Sequence, residues 1–292
     1  MRPLVALAAV LVLGAEAVAQ TPDVSPFIEL HPAWVVRSTK KSLFNWYDPT
    51  GRYSLVGVRM ILESGYRVYV AQRLQRIDSS GDPDTVDEYY LENRGHWRLG
   101  KQYLPFGRRD IFRTTALAAR LDTNLLLDQA PLAITVCDNG SGRTRGVVGR
   151  IGGVVGISAA IGNHFGIQAT DMSQFRNLED ATGIGRGYRL AFGIDTLISA
   201  GSAQLTGDWV SFRRGETALD GNKDMSDLRL RFHIPETNFR AVMAWSRDWT
   251  ERRDFLITEI EIKGNEHITY IPMIRFEGLA FRDFAFTAVM RF

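Results

Sequence analysis

Arginine is the most frequent charged side chain in this 292-residue chain, and it recurs at alternate positions. Arg229, Arg231 and His233 are spaced by two, as are Glu259 and Glu261, and Arg275 and Glu277. A period of two places such residues on one face of a β-strand. Arg59, Arg67, Arg73, Arg189 and Arg240 fall on the same side of their own segments, and Asp195 and Asp208 join them. A denser group lies in residues 104–130, where Arg108, Arg109, Arg113 and Arg120 face Asp110, Asp122 and Asp128. Rows of guanidinium and carboxylate groups bind and steer ions, and rings of Arg or Lys select anions in pores. With acids interleaved, the alternative is a transverse field that orients polar solutes without strong selectivity.

Covalent chemistry finds little support. The five histidines form no His-Glu-x-x-His motif, there is one cysteine (Cys137), and no Gly-x-Ser-x-Gly elbow occurs. Neither a metal nor a cofactor is expected. His164 and Ser173 could be imagined in an outer-membrane lipid hydrolase, but nothing fixes their geometry, and a histidine at the end of a turn is the plainer reading. Gly183, Gly185 and Gly187 imitate a phosphate loop that precedes a strand instead of a helix. The acids Asp78, Asp82, Asp84, Asp87 and Glu88 read as a solvated outer loop, with a divalent cation or a bridge to lipopolysaccharide as the other reading. The net charge of +2 gives no reason to expect nucleic acid as a partner.

The elements that must position these groups are strands. Residues 283–292 alternate without a break, with Phe284, Phe286, Ala288, Met290 and Phe292 on one side and Ala285, Thr287, Val289 and Arg291 on the other. Similar alternation recurs along the chain, separated by short turns (around 64, 163, 235–237 and 264–266) and longer polar links (77–84, 171–186, 213–225 and 249–253). That asymmetry fits an outer-membrane barrel with short periplasmic turns and longer outer loops. Strands are expected at 26–37, 52–62, 66–76, 85–93, 96–103, 131–137, 144–151, 154–162, 164–170, 187–195, 203–212, 227–234, 238–248, 254–263, 267–277 and 282–292. The fold class is therefore all-β, a transmembrane antiparallel barrel of roughly 16 strands. Glycines in 144–162 blur the parity, so about 14 strands stays open. Arg2, the apolar run 4–13 and Ala17-Val18-Ala19 read as a signal peptide over 1–20, leaving 21–292 as the barrel. Burying so many charges in a dry core would cost several kcal/mol for each ion without a well-placed partner. A water-filled lumen removes that cost. A soluble β-sandwich with the charges outside is the competing fold.

The irregular stretch 104–130 is expected to fold into the barrel, which would explain its apolar runs at 116–119 and 125–127. Its approach carries Leu99-Gly100-Lys101-Gln102-Tyr103-Leu104-Pro105-Phe106-Gly107. This segment, through Gly100, Lys101, Pro105, Phe106 and Gly107, resembles the Gly-Lys…Pro-Phe-Gly segment of the phosphate-selective porin O and P family. The resemblance is specific over about ten residues and the aromatic last strand, and diffuse elsewhere. It implies a 16-stranded outer-membrane porin that assembles as a homotrimer, with the third outer loop folded into the pore. No matching ladder of basic residues carries phosphate selectivity across. The expected function is passive diffusion of small hydrophilic solutes with weak anion preference, the constriction being set by Arg108, Arg109, Arg113 and Arg120. The alternatives are a non-conducting structural or adhesive barrel and an outer-membrane lipid hydrolase. Expected partners are outer-membrane lipid, small hydrophilic or anionic solutes, and the barrel-assembly machinery, for which Phe292 would be the signal.

Overall fold

The computed structural model describes residues 22–37, 43–45, 54–62, 65–74, 86–112, 114–125, 130–139, 144–165, 188–214 and 222–292. The signal peptide expected over 1–20 lies outside that set, as do Arg113, Asp128, Ser173, Asp78, Asp82, Asp84 and residues 183–187. Every regular element among the described residues is a β-strand. The first nine are β1 (Asp23–Leu30), β2 (Ala33–Arg37), β3 (Leu43–Asn45), β4 (Leu55–Ile61), β5 (Tyr66–Arg73), β6 (Val86–Asn93), β7 (Trp97–Tyr103), β8 (Thr115–Leu125) and β9 (Ala130–Asp138). The rest are β10 (Arg145–Gly152), β11 (Val155–Phe165), β12 (Tyr188–Ala200), β13 (Ala203–Arg213), β14 (Lys223–His233), β15 (Phe239–Asp248), β16 (Arg253–Lys263), β17 (Ile268–Glu277) and β18 (Ala280–Arg291).

From β4 to β18 each strand pairs antiparallel with the next, and β18 closes the ring on β1 and β2. Arg291 lies opposite Glu29, Met290 opposite Leu30, Thr287 opposite Ala33 and Asp283 opposite Arg37. That register is unbroken across His31-Pro32, so β1 and β2 are one strand interrupted where proline removes a donor. β1 pairs on its other side with β4, and β2 with β3, so β3 and β4 share one place in the wall. The 18 segments thus fill 16 places in a closed barrel. Phe292 completes the seam, exchanging two backbone bonds of 2.9 Å with Ile28.

The two faces differ as a membrane requires. On β18, Asp283, Ala285, Thr287 and Val289 are buried inside, while Phe286 and its outward neighbours are open. Phe192, Ile194, Leu228, Leu230, Met243, Ile260 and Ile274 are likewise exposed large apolar groups on outward faces. The described strands form one closed sheet, which pairs their backbone groups within the barrel as hydrocarbon demands. Strands β11 to β18 run 10 to 13 residues, enough to cross a bilayer when tilted.

Two local expectations are corrected. Residues 115–125 are strand β8, so the irregular stretch after β7 is 104–114 and the apolar run 116–119 belongs to the wall. Asn163 is no turn: it pairs with Arg145 inside β11, and residues 164–165 continue that strand. One missed strand and one divided strand cancel, which is why the expected total survives. The glycine-rich stretch resolves as a hairpin of β10 and β11, with Gly146 opposite Gly162 and Gly152 opposite Gly156.

Inside the wall, Arg275 donates to Asp283 through Nε and Nη2 at 2.6 and 2.5 Å, with both side chains almost fully buried. Removing Arg275 leaves the buried Asp283 carboxylate with only the more distant Arg282, at 4.0 Å. Arg275→Ala is expected to lower unfolding free energy by about 3–5 kcal/mol. Arg240→Ala, which breaks the half-exposed pair with Glu261 at 3.0 Å, costs about 1 kcal/mol or less. Urea unfolding in detergent micelles measures both, and equal losses would contradict this picture of the interior.

Candidate pore constriction and arginine vestibule

After Tyr103 the chain leaves the wall and returns at Thr115, pinched at its base where Leu104 N–H donates to the Thr114 carbonyl at 2.9 Å. Between these points Leu104, Phe106, Ile111 and Phe112 are fully buried. The Phe106 and Phe112 rings stack 4.4 Å apart, and Phe112 also meets Phe165 and Phe212. The wall that receives them presents small groups, among them Ala118, Cys137, Val148, Ala160, Ala191 and Val210. Gly193 belongs to this surface, since a Cβ there would strike the Phe106 ring. The loop therefore lies inside the barrel because its apolar residues fit a wall shaped by small ones.

Polar contacts fix its height. Gly107 N–H donates to Ser158 Oγ at 2.9 Å, and the N–H groups of Arg108 and Asp110 donate to the Asp208 carboxylate at 2.9 and 3.1 Å. Asp208 is on β13, six strands beyond β7, so the loop crosses the interior. The Arg108 guanidinium meets Asp195 at 2.8 Å and donates to the Gly153 carbonyl at 2.6 Å. Positive φ at Gly107 (52°) and Arg109 (66°) turns the chain here, and a Cβ on Gly107 would run into the Asp208 carboxylate. Asp195, Asp208 and Asp227 lie directly opposite one another on β12, β13 and β14. Opposed like charges destabilise a sheet, so donors must surround them. Arg108 and Arg150 hold Asp195, the loop amides hold Asp208, and Arg229 with Ser246 holds Asp227.

Of the basic residues expected inside, the register places Arg59, Arg67, Arg229, Arg231, His233, Arg240 and Arg275 on interior faces. Arg73 is buried and pairs with Asp87 at 2.6 Å, Arg67 meets Glu92 at 3.0 Å, and Arg231 donates to Thr206 at 3.2 Å. Arg189 departs from expectation. It is exposed, while its neighbour Tyr188, expected on the lipid side, is fully buried 4.9 Å from Phe212. A register shift between Ile161 and Phe165 changes the pairing at this end of β12. Arg120 sits on β8, paired with Asp122, instead of on the loop. In the Gly100–Gly107 segment, the buried Lys101 donates to the Val86 carbonyl at 2.6 Å and Phe106 plugs the wall.

Beneath the loop lies a cavity of about 730 Å³ bounded by β5 to β10. Arg67, Arg94, Arg98, Arg108, Arg109, Arg120 and Arg150 line it, against Glu92 and Asp122. Glu92 serves both Arg67 and Arg98, and Asp195 both Arg108 and Arg150. Arg98 also lies 4.1 Å above the Tyr90 ring, the end of a stacked row with Tyr69 and Phe27. Arg94, Arg98 and Arg150 escaped the sequence reading. Arg98 keeps parity with the inward Arg120 across β7 and β8, a signal visible only once β8 is recognised.

These features define an outer-membrane β-barrel of porin architecture with a loop folded into its interior. Solved structures agree. OmpT of Vibrio cholerae lacking loop L8 superposes with a TM-score of 0.60 at 10% identity, covering 94% of this chain and 100% of that one. OmpF of Salmonella typhi in complex with daunomycin gives 0.59 at 11% identity over 92% and 97% of the two chains. The anion-selective porin of Comamonas acidovorans gives 0.56 at 11% over 93% and 99%. At such identities the likeness is one of fold. No family model matches the chain and no curated protein matches it, so the resemblance to phosphate-selective porins rests on the segment around Gly100–Gly107.

Gly107→Ala places a methyl group against Asp208 and forces a positive φ on a residue with a side chain. It is expected to cost about 1–3 kcal/mol, read as an earlier thermal midpoint in micelles. An unchanged midpoint would mean that the loop is not held by Asp208.

Proposed function

We propose that the protein is an outer-membrane porin: a water-filled channel for passive diffusion of small hydrophilic solutes, with weak anion preference and no covalent chemistry. The observation that carries this reading is the arginine excess around the cavity below the in-folded loop, on an interior wall otherwise lined by matched ion pairs. An arginine ring attracts anions because low-dielectric walls focus its field. In this reading residues 1–20 direct export, Phe292 is read by the barrel-assembly machinery, and the barrel works as a homotrimer. Arg108 and Arg109 border the narrowest passage, and Arg59, Arg73, Arg229, Arg231, His233, Arg240 and Arg275 line the path. The likeness to phosphate-selective porins supports the placing of the loop, and the anion-selective neighbour from Comamonas acidovorans is consistent with the sign of the preference.

A second reading has its own observation. The loop's buried phenylalanines fill part of the lumen, as a plug in a non-conducting structural or adhesive barrel would. Liposome swelling separates the two. In planar bilayers under a salt gradient, the reversal potential is expected on the anion side. Replacing Arg108, Arg109 and Arg113 with Ser is expected to raise single-channel conductance and move the reversal potential toward zero. Unchanged current and potential would refute this constriction, and a lipase assay on purified protein checks the hydrolase alternative.

A further inference from the structure

We infer that the cavity below the loop is a binding site for a small organic polyanion, a solute carrying two or more carboxylate or phosphate groups on a carbon skeleton. The inference deepens the diffusion-channel reading and rests on it for access. Its first ground is charge. Seven arginines border the space, and the carboxylates set against them number four: Glu92, Asp122 and Asp195, with Glu88 acting on Arg109. Two of those acids are each divided between two guanidiniums, and Arg94 has no ion-pair partner among the described residues. A monovalent ion would leave most of that excess standing, in a cleft whose walls amplify it.

Its second ground is shape and direction. About 730 Å³ is far more than one inorganic ion needs, and lies within the range of sites for small organic molecules. The arginines enter from several sides: Arg94 from the turn after β6, Arg98 and Arg120 from β7 and β8, Arg150 from β10, Arg109 from the loop. Guanidinium forks match planar oxyanion groups two bonds at a time, so separated charges on one solute would meet separate forks. Pro105, Pro131 and Leu132 add apolar surface for the carbon skeleton. A solute held this way passes with saturation instead of in proportion to its concentration, and it obstructs chloride while bound.

The test is chloride current through the full chain in planar bilayers, with citrate, fructose 1,6-bisphosphate, inorganic phosphate or acetate added at matched ionic strength. Citrate or fructose 1,6-bisphosphate is expected to block saturably, at a concentration at least about tenfold below acetate, the difference made by one further charge-assisted hydrogen bond. The comparison of these two assigns the preferred oxyanion, and tighter block by inorganic phosphate than by either would overturn the organic assignment. Arg94→Gln with Arg120→Gln is expected to raise the half-blocking concentration by about tenfold or more, and Arg120→Lys alone by less. Equal block by citrate and acetate, or a double variant that keeps compact mobility in cold detergent gels yet blocks like the parent, would overturn the inference. Absence of any current in plain chloride would instead refute the diffusion channel. Calorimetric titration of the micellar protein with citrate then decides the cavity alone, heat abolished in the double variant supporting it and no heat in the parent refuting it.

Discussion

Hydrocarbon supplies no hydrogen bonds, and that single deficiency governs this molecule. Each unpaired amide or carbonyl in the bilayer costs several kcal/mol, so a sheet can cross only by closing on itself. Here closure depends on β18 finding β1 and β2 in one continuous register, from Arg291 opposite Glu29 to Asp283 opposite Arg37. The seam tolerates Pro32 because the strand merely breaks there and resumes in phase. Once the ring is shut, alternation assigns every side chain to lipid or to the interior, and the charged rows follow without further choice.

The in-folded loop and the carboxylates beneath it depend on each other. Asp195, Asp208 and Asp227 stand in a row across three strands, an arrangement a bare wall would not tolerate. Loop amides satisfy Asp208, and the loop's Arg108 shares Asp195 with Arg150. The small residues of β8 to β13 form a complementary apolar seat into which the loop packs. Removing the loop would strand charges and open a void, so the constriction is part of the barrel's stability and not an appendage to it.

The same seat explains what was legible in the sequence. Alternation was plain on β14 to β18, where inward charges oppose outward aromatics. It faded on β8, where inward Ala116 and Ala118 sit beside outward Leu117 and Ala119 and the chain reads as evenly apolar. The demand for small inward residues, imposed by a loop arriving from elsewhere, erased the period that would have marked the strand. Asn163 beside Gly162 imitated a turn for a related reason: Gly146 faces Gly162, and neither offers a side chain that could show a parity. Tyr188 turned inward at a register shift, which no local pattern announces. The place where the chain folds inward was readable, although the apolar run 116–119 expected on the loop belongs to β8. The loop's length and its anchor, Asp208, a hundred residues away, were not.

Charge inside this barrel is divided between two regimes. On β14 to β18 and β1 the ions are matched: Arg229 with Asp227, Arg240 with Glu261, Arg275 with Asp283 and Arg291 with Glu29. Matched pairs cancel at a distance beyond the Debye length, about 8 Å at physiological salt, and impose little field on a passing solute. On β5 to β10 arginine outnumbers acid, and the loop brings Arg108 and Arg109 to the same side. The field is therefore local and strongest below the loop, where low-dielectric walls focus it. A lumen with matched charges throughout would discriminate by size alone. This one concentrates its unmatched charge at the height of the in-folded loop, so in the proposed channel any solute small enough to pass would meet the arginines on the way.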